Sequence, residues 1–569
     1  MYVDGPTEQI AGALSRDVMR DALRAAGLQC FPHVAAALRT HSPGARTCSG
    51  EVATRVLEEA IRAISRALRT ETNGYAGLRW LWLLRRLPEW VFEGDYSTTL
   101  GYDSTLAEAI AGQGAGRSRV QLLSGEQRAY PLDATVVRRL ARYCASVRIL
   151  SQLHREYRWA GKGAAIEFVA GQMPEHLPDE TLRDSVYLYD ERAEQGGGGR
   201  MGTEVFSPTR SALDLREVLR TLEQDPLTKL FRLLRVQPAR EITVPMVGAD
   251  LTDTDVPTAL MRARYMFIPI PLANLQTLID AAPAGQPIFD KSAAVLLFLL
   301  FASTAHVVDH RAGFVSAFQT GYLLFAEPVF RARFADAFAV VPSPIREILD
   351  AANVRSAQEA LDVLVAVAGN PWPLEAGPIL YRDGEALAVD LVAASRRLSD
   401  AVVYPRAQGT IANVRSAHFE LRVQAAVNAS RYAPPAEVLV VRGRTLKLRG
   451  RDITDLDAIA RVDGSLVLLS CKSIIYSPEY DMGEYRAVRN AATTVRSAVE
   501  DWAEILVTLR ANLLGDNYDL RGWDLLGVVC TPSVVWIELG RCTTFVLPGL
   551  RAAVSLAELQ AWLAGEATV

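Results

Sequence analysis

The sequence predicts an α+β protein: a large, mostly α-helical N-terminal region followed by a C-terminal α/β domain with a central mixed sheet. Three observations predict it. At 569 residues the chain exceeds what one hydrophobic core serves, so two to four domains are expected, and an apolar share of 50% is ample to fill them. Up to about residue 400, apolar residues recur mainly at helical spacing. After Asn413 the patterns change to helix, several short strands, one long helix and a further strand.

Charge and cysteines narrow the classes. A formal charge of -4 and a pI near 6.1 give no chain-wide basic field, so any nucleic-acid contact must come from a local patch. Cys30, Cys48, Cys144, Cys471, Cys530 and Cys542 contain no CxxC pair, which argues against a zinc ribbon and a disulfide framework and for the reducing cytoplasm. The opening MYVDGPTEQIAG has no basic start followed by an apolar run, so it does not read as a signal peptide. Ser292 to Val308 carries no charge and approaches the roughly 20 residues of a membrane span. It includes Ser303, Thr304 and His306 and is flanked by Asp290, Lys291 and Asp309, so a buried central helix is expected, with no membrane partner.

Residues 1–190 form the first expected domain. Val56, Leu57, Ala60, Ile61, Ile64 and Leu68 mark one face of a helix over Val52 to Leu68. In Leu78 to Phe92 the tryptophans Trp80, Trp82 and Trp90 stand beside Arg79, Arg85 and Arg86, and a core role outweighs base stacking. The run Gly112 to Ser118 fails as a phosphate loop, because Ala111 holds the first glycine position and Arg117 that of the lysine. Gly196 to Gly199 lie in a polar stretch, giving a flexible loop over 191–211. A second helical region over 212–400 follows. Ala212 to Leu234 reads as a helix. Tyr265 to Leu272 is too proline-rich for a helix interior or a central strand. His306 and His310 share a helix face, but HVVDH lacks the glutamate of a zincin. Pro378 to Asp390 reads as a hairpin turning at Asp383-Gly384, Leu391 to Leu398 as a helix, and 401–412 as a linker.

The last domain covers 413–569. An amphipathic helix over Asn413 to Ser430 contains Glu420, and strands are expected over Glu437 to Arg442 and Thr445 to Arg449. Ile453 to Ala460 reads as one strand, with Asp455 and Asp457 on the same face. Asp463-Gly464-Ser465 turns the chain, and Leu466 to Lys472 returns with Ser470 and Lys472 on one face. A long helix over Glu484 to Leu513, a buried strand over Leu525 to Cys530, a strand over Thr543 to Leu547 and a helix over Ser555 to Leu563 complete it. Carboxylates beside a lysine suit metal-dependent phosphodiester hydrolysis, since hard oxygens hold magnesium and an ammonium stabilises the pentavalent phosphate. Arg442, Arg444, Lys447, Arg449 and Arg451 form the densest basic cluster here, with Arg444, Lys447, Arg449 and Arg451 as candidate phosphate contacts.

An acid, a short hairpin and then x-x-Lys within this order of elements resembles the PD-(D/E)xK nuclease superfamily, over about 410–569 only. The resemblance implies a restriction-endonuclease-like domain acting on DNA with Mg2+ (or Mn2+). It implies Asp457 and the carbonyl of Cys471 as metal ligands, Lys472 as the residue that positions and helps deprotonate water, and Glu420 as an accessory acid. Ser470 departs from the family, which has a carboxylate there, so Glu420 or Asp455 must supply the missing charge. By analogy with multi-domain restriction and phage-defence proteins, the helical region is a place for protein partners. Two rival readings remain: a nuclease-fold scaffold without catalysis, marked by Ser470, and a helical interaction platform with a subordinate C-terminal domain.

Overall fold

The helical periodicity of the first region becomes six principal helices: α1 (Arg16–His41), α2 (Gly50–Thr72), α3 (Gly77–Leu84), α4 (Tyr102–Ala111), α5 (Ala134–Gly161) and α6 (Glu180–Gln195). The computed structural model describes residues 5–92, 102–114, 121–122, 128–195, 229–245, 258–272, 289–309, 317–367, 376–403, 410–474 and 477–565. Side-chain caps set the helix starts: Ser15 accepts the Val18 N–H, and Asp133 accepts those of Thr135 and Val136. The predicted stripe of α2 is wholly buried. Trp80 and Trp82 are buried too, with the Trp80 indole N–H donating to the Thr72 carbonyl at 2.9 Å, so these tryptophans are core. Helix α6 runs to Gln195, past the expected start of the loop at 191, and residues 196–211 of that loop lie outside the described residues. Short strands β1 (Thr47–Ser49), β2 (Ala165–Glu167) and β3 (Glu175–His176) form a small antiparallel sheet beside the helices.

The middle region departs from expectation where its first helix was placed. Residues 229–234 belong to strand β4 (Lys229–Pro245), paired antiparallel with β5 (Thr258–Pro271), and 212–228 lie outside the described residues. The run KLFRLLRV fits either period, and its partner YMFIPIP decides the outcome by supplying the ladder. A two-stranded ribbon has only edges, so Pro269 and Pro271 are tolerated. Pro238 falls in the irregularity between Arg235 and Arg240. The uncharged segment is α7 (Lys291–Asp309), with Ala293 to Phe301 buried at the centre of the second core. Thr304 satisfies its hydroxyl on the Leu300 carbonyl at 2.8 Å, as a helix in a protein interior requires. No helix among the described residues is long and apolar enough to cross a membrane. His310 lies outside the described residues, as does the side chain of His306. Strand β6 (Tyr322–Ala326) pairs with the hairpin β7 (Leu380–Asp383) and β8 (Ala386–Asp390). Its turn is Gly384-Glu385, one residue beyond the predicted pair, with Gly384 at φ 62°. Helix α8 (Leu391–Val403) follows, and 404–409 of the expected linker lie outside the described residues.

The last region begins with α9 (Thr410–Asn428). The strand expected over Glu437 to Arg442 is a short helical turn, Ala436–Leu439, entered from Pro435. Val438 and Val441, three apart, are both buried, which is helical spacing. β9 (Thr445–Leu448) and β10 (Arg451–Asp455) form a separate two-stranded hairpin. The main sheet is mixed, in the order β11 (Ala458–Val462), β12 (Ser465–Cys471), β13 (Asp524–Thr531), β14 (Ala553–Ser555). β11 and β12 are antiparallel across the two-residue turn Asp463-Gly464; β12, β13 and β14 are parallel. Between β12 and β13 the chain passes through α10 (Pro478–Met482) and the long α11 (Tyr485–Ala511), and α12 (Leu556–Ala564) closes the chain. The strand expected over Thr543 to Leu547 is shorter, Phe545–Leu547, and pairs only with Leu550–Arg551 outside the main sheet.

The two faces of this sheet meet different neighbours. Ala458, Val467, Leu469 and Cys471 pack against Phe419, Val423 and Val427 of α9 and Leu559 of α12. Ile459, Leu466 and Leu468 join Val495, Trp502 and Leu506 of α11 in the same core as the N-terminal helices. Residues before 190 and after 413 therefore share one apolar interior.

Candidate active site

Asp457 sits at a junction between two sheets. The chain leaves the hairpin at Asp455, buries Leu456 completely, and enters β11 at Ala458. The single strand expected over Ile453 to Ala460 is thus two strands, because β10 pairs with β9 whereas β11 pairs with β12. The correction separates the two aspartates. Asp455 stays with the hairpin, exposed, its carboxylate accepting the Thr445 hydroxyl. Asp457 turns to the main sheet, where its Oδ2 accepts the Cys471 N–H at 2.6 Å.

The ladder places the remaining residues. Ala458 opposes Leu469 at the end of the ladder, Asp457 comes just before it, and a period of two puts Lys472 on the Ser470 side of the returning strand. Ser470 is 8% exposed. The Lys472 backbone is fixed by its N–H on the Cys530 carbonyl at 2.8 Å, while its ammonium forms no ion pair among the described residues. Glu420 comes from α9, with Oε1 accepting the Ser416 hydroxyl at 3.1 Å. One turn on, the Gln424 side-chain amide donates to the Asp457 carbonyl at 2.6 Å and so ties α9 to the junction.

Electrostatics bind the group together. Burial pushes the Asp457 carboxyl up to about 6; the Cys471 N–H opposes that, Glu420 and Asp455 add to it through like charge, and Lys472 opposes it. Glu420, Asp455 and Lys472 are therefore each within electrostatic reach of Asp457. The Cys471 thiol is pushed far up, first by burial.

The donors fit a hard divalent cation in part. Asp457 and Glu420 are two carboxylates whose repulsion a cation would relieve, and Asp457 Oδ1 makes no hydrogen bond among the described residues. Asp455 is turned to Thr445, and no three His, Cys, Asp or Glu side chains gather into a metal-holding group among the described residues.

The basic cluster lies on the hairpin. Arg444, Arg449 and Arg451 are exposed and form no ion pair among the described residues, whereas Lys447 pairs with Asp452 at 3.2 Å. Arg442 donates to the Asn428 side chain at 2.8 Å. Gln424, Asp516 and Asn517 had no part in the sequence reading. Gln424 lies four residues after Glu420 on one helix, a spacing that marks it as a neighbour. Asp516 and Asn517 reach the hairpin from 66 to 72 residues away and leave no local signal. Compared with protein-family models, curated proteins and solved structures, the chain matches none.

Proposed function

We propose that the C-terminal domain is a PD-(D/E)xK-like, Mg2+-dependent DNA endonuclease. The observation that supports this reading is that the charges of Glu420 and Lys472 both act on the Asp457 carboxyl, whose Oδ2 accepts the Cys471 N–H at the end of β12. Asp457 and Glu420, aided by the Cys471 carbonyl, would hold a divalent cation, which when bound would supply Lewis-acid stabilisation of the phosphate. Lys472, lacking an acidic partner at ion-pair distance among the described residues, keeps its ammonium for the attacking water and the charge that develops on phosphate. Glu420 supplies the negative charge that Ser470 does not. Arg444, Lys447, Arg449 and Arg451 contact the flanking phosphates.

A second reading, a DNA-binding scaffold of the same fold without hydrolysis, is favoured by Asp455 turning away and leaving two carboxylates at the junction. Cleavage of plasmid and linear DNA by the purified protein with Mg2+ or Mn2+ separates the two. Under the endonuclease reading cleavage is metal-dependent and lost in Asp457→Ala and Lys472→Ala, with the fold retained. Wild-type protein that cleaves nothing with either metal leaves only the scaffold.

A further inference from the structure

The basic hairpin is held from outside by a loop remote in sequence. Leu448 opposes Arg451, so Arg449-Gly450 is a two-residue turn, with φ of 52° and 72°. Both values are positive, as a type I′ hairpin turn requires. The Asp516 carboxylate accepts the two N–H groups of that turn, Arg449 at 3.0 Å and Gly450 at 2.6 Å, and the Asp516 N–H donates to the Lys447 carbonyl at 2.8 Å. Asn517 accepts the Lys447 N–H at 2.8 Å and donates to the Thr445 carbonyl at 2.9 Å. The loop is itself braced: Tyr518 is buried and donates to the Asn512 carbonyl at 2.9 Å, and Leu520 is fully buried. An isolated two-stranded hairpin is marginal in water, and these five bonds, together with Leu446 buried in the core and Ile453 packed against it, hold this one in a fixed shape. The carboxylate that does so is spent on backbone N–H groups, leaving the guanidinium groups of Arg444, Arg449 and Arg451 exposed to solvent.

We infer that the Asp516-Asn517 loop clamps β9–β10 as a rigid basic arm that lies along the backbone of duplex DNA beside the site. The inference rests on the endonuclease reading for its substrate and adds duplex form and a positioning role for Asp516 and Asn517. Strand β10 ends two residues before Asp457, and at about 3.3 Å per residue the turn stands at most roughly 23 Å from it, a span of about seven base pairs. Charge complementarity selects the occupant: a chain of net charge -4 presents three unpaired arginines on one short ribbon, and phosphate is their partner.

The test is binding of a fluorescent duplex of about 24 base pairs, read by anisotropy in EDTA across a salt series. Removing a negative charge beside a basic tip would tighten binding by simple electrostatics, whereas loss of the clamp weakens it. Asp516→Ala is expected to weaken binding about tenfold, and Asn517→Ala, which changes no charge, to do the same. Arg449→Ala and Arg451→Ala should each lower the slope of log K against log salt by about 1. Tighter or unchanged binding in both Asp516→Ala and Asn517→Ala overturns the inference, as does a wild-type protein that ignores duplex or prefers single strands. Should Asp516→Ala fail to fold, Asn517→Ala decides alone. Because the assay needs no cleavage, an inert protein that binds in this pattern sinks the endonuclease reading and leaves the clamp standing.

Discussion

The Arg85 guanidinium lies 2.9 Å from the carboxylate of Asp390, a residue 305 positions later, and 2.6 Å from that of Glu108. Both Arg85 and Asp390 are fully enclosed, and Asp390 also caps α8 by accepting the Val392 and Ala393 N–H groups. The triad thus joins the N-terminal helices to the middle region through buried charge, beside the apolar contact that Tyr322, Tyr381, Ala386 and Ala388 make with the same core. Removing the cation strands two buried carboxylates, so Arg85→Met should cost about 3–5 kcal/mol. Urea unfolding followed by circular dichroism measures it. A loss well under about 1 kcal/mol would show that the cavity takes up water and solvates the acids.

Ser470 gives a prediction for the site. Buried, and next to the Cys471 N–H that meets Asp457, it is a poor place for a second unneutralised carboxylate. Ser470→Glu should destabilise the protein by about 1–2 kcal/mol in EDTA, read as a lower melting temperature, and Mg2+ should restore most of it. Under the endonuclease reading the same variant cleaves at least as well as wild type. Destabilisation that Mg2+ leaves untouched would remove the argument that the junction holds a cation.

Asp457 makes stability depend on pH in the apo protein. Its folded-state carboxyl is raised to about 6 from an ordinary value near 4, so the folded chain binds the extra proton. Its contribution is fully present below the unfolded pKa, falls as pH rises from about 4 through 6, and is a net cost above that. Asp457→Asn should therefore stabilise the apo protein at pH 7.5. Two units correspond to about 3 kcal/mol, and partial solvent access reduces this to about 1–2 kcal/mol. Thermal melts of both proteins at pH 4 and pH 7.5 test it, and the gap between them should shrink at the lower pH.

Lys162 works with the opposite sign. Burial lowers its amine to about 7, Arg158 adds to the lowering, and Asp190, at 3.9 Å, only partly opposes it. The amine stands over the Tyr189 ring at 4.7 Å. Both folded and unfolded chains are protonated below pH 7, where the full cost of burying the charge applies; the cost is relieved as pH rises from 7 towards 10.5. Lys162→Met should stabilise by about 1–3 kcal/mol at pH 6.5 and by less at pH 9. A gain that is equal at both values would point to packing alone.

The helices and the order of elements after Asn413 were legible because their periodicities are long: the stripes of α2 and α11 persist for several turns, and α7 carries no charge between Lys291 and Asp309. Short runs were not. KLFRLLRV and EVLVVR each satisfy two periods over so few residues that the partner decides, the first pairing as a strand and the second coiling after Pro435. At the site, Asp457, Ser470 and Lys472 could be placed from strand alternation across one turn. Asp455 could not, since nothing in DITDLDAIA marks where pairing passes from one sheet to another. The grip of Asp516 on the hairpin was invisible for a different reason: it depends on where α11 ends in space.

A Cβ on Gly161, at the end of α5, would overlap the Gly483 carbonyl oxygen, and one on Gly483, at φ 84°, would crowd the Arg158 backbone. Main chain meets main chain here, between the helical region and the segment that leaves β12 just after Lys472. The boundary near residue 410 is therefore a poor place for scissors. A fragment starting there would carry a bare apolar flank along α11 and a glycine seat with nothing resting in it. The two parts are packed so that each completes the other's surface.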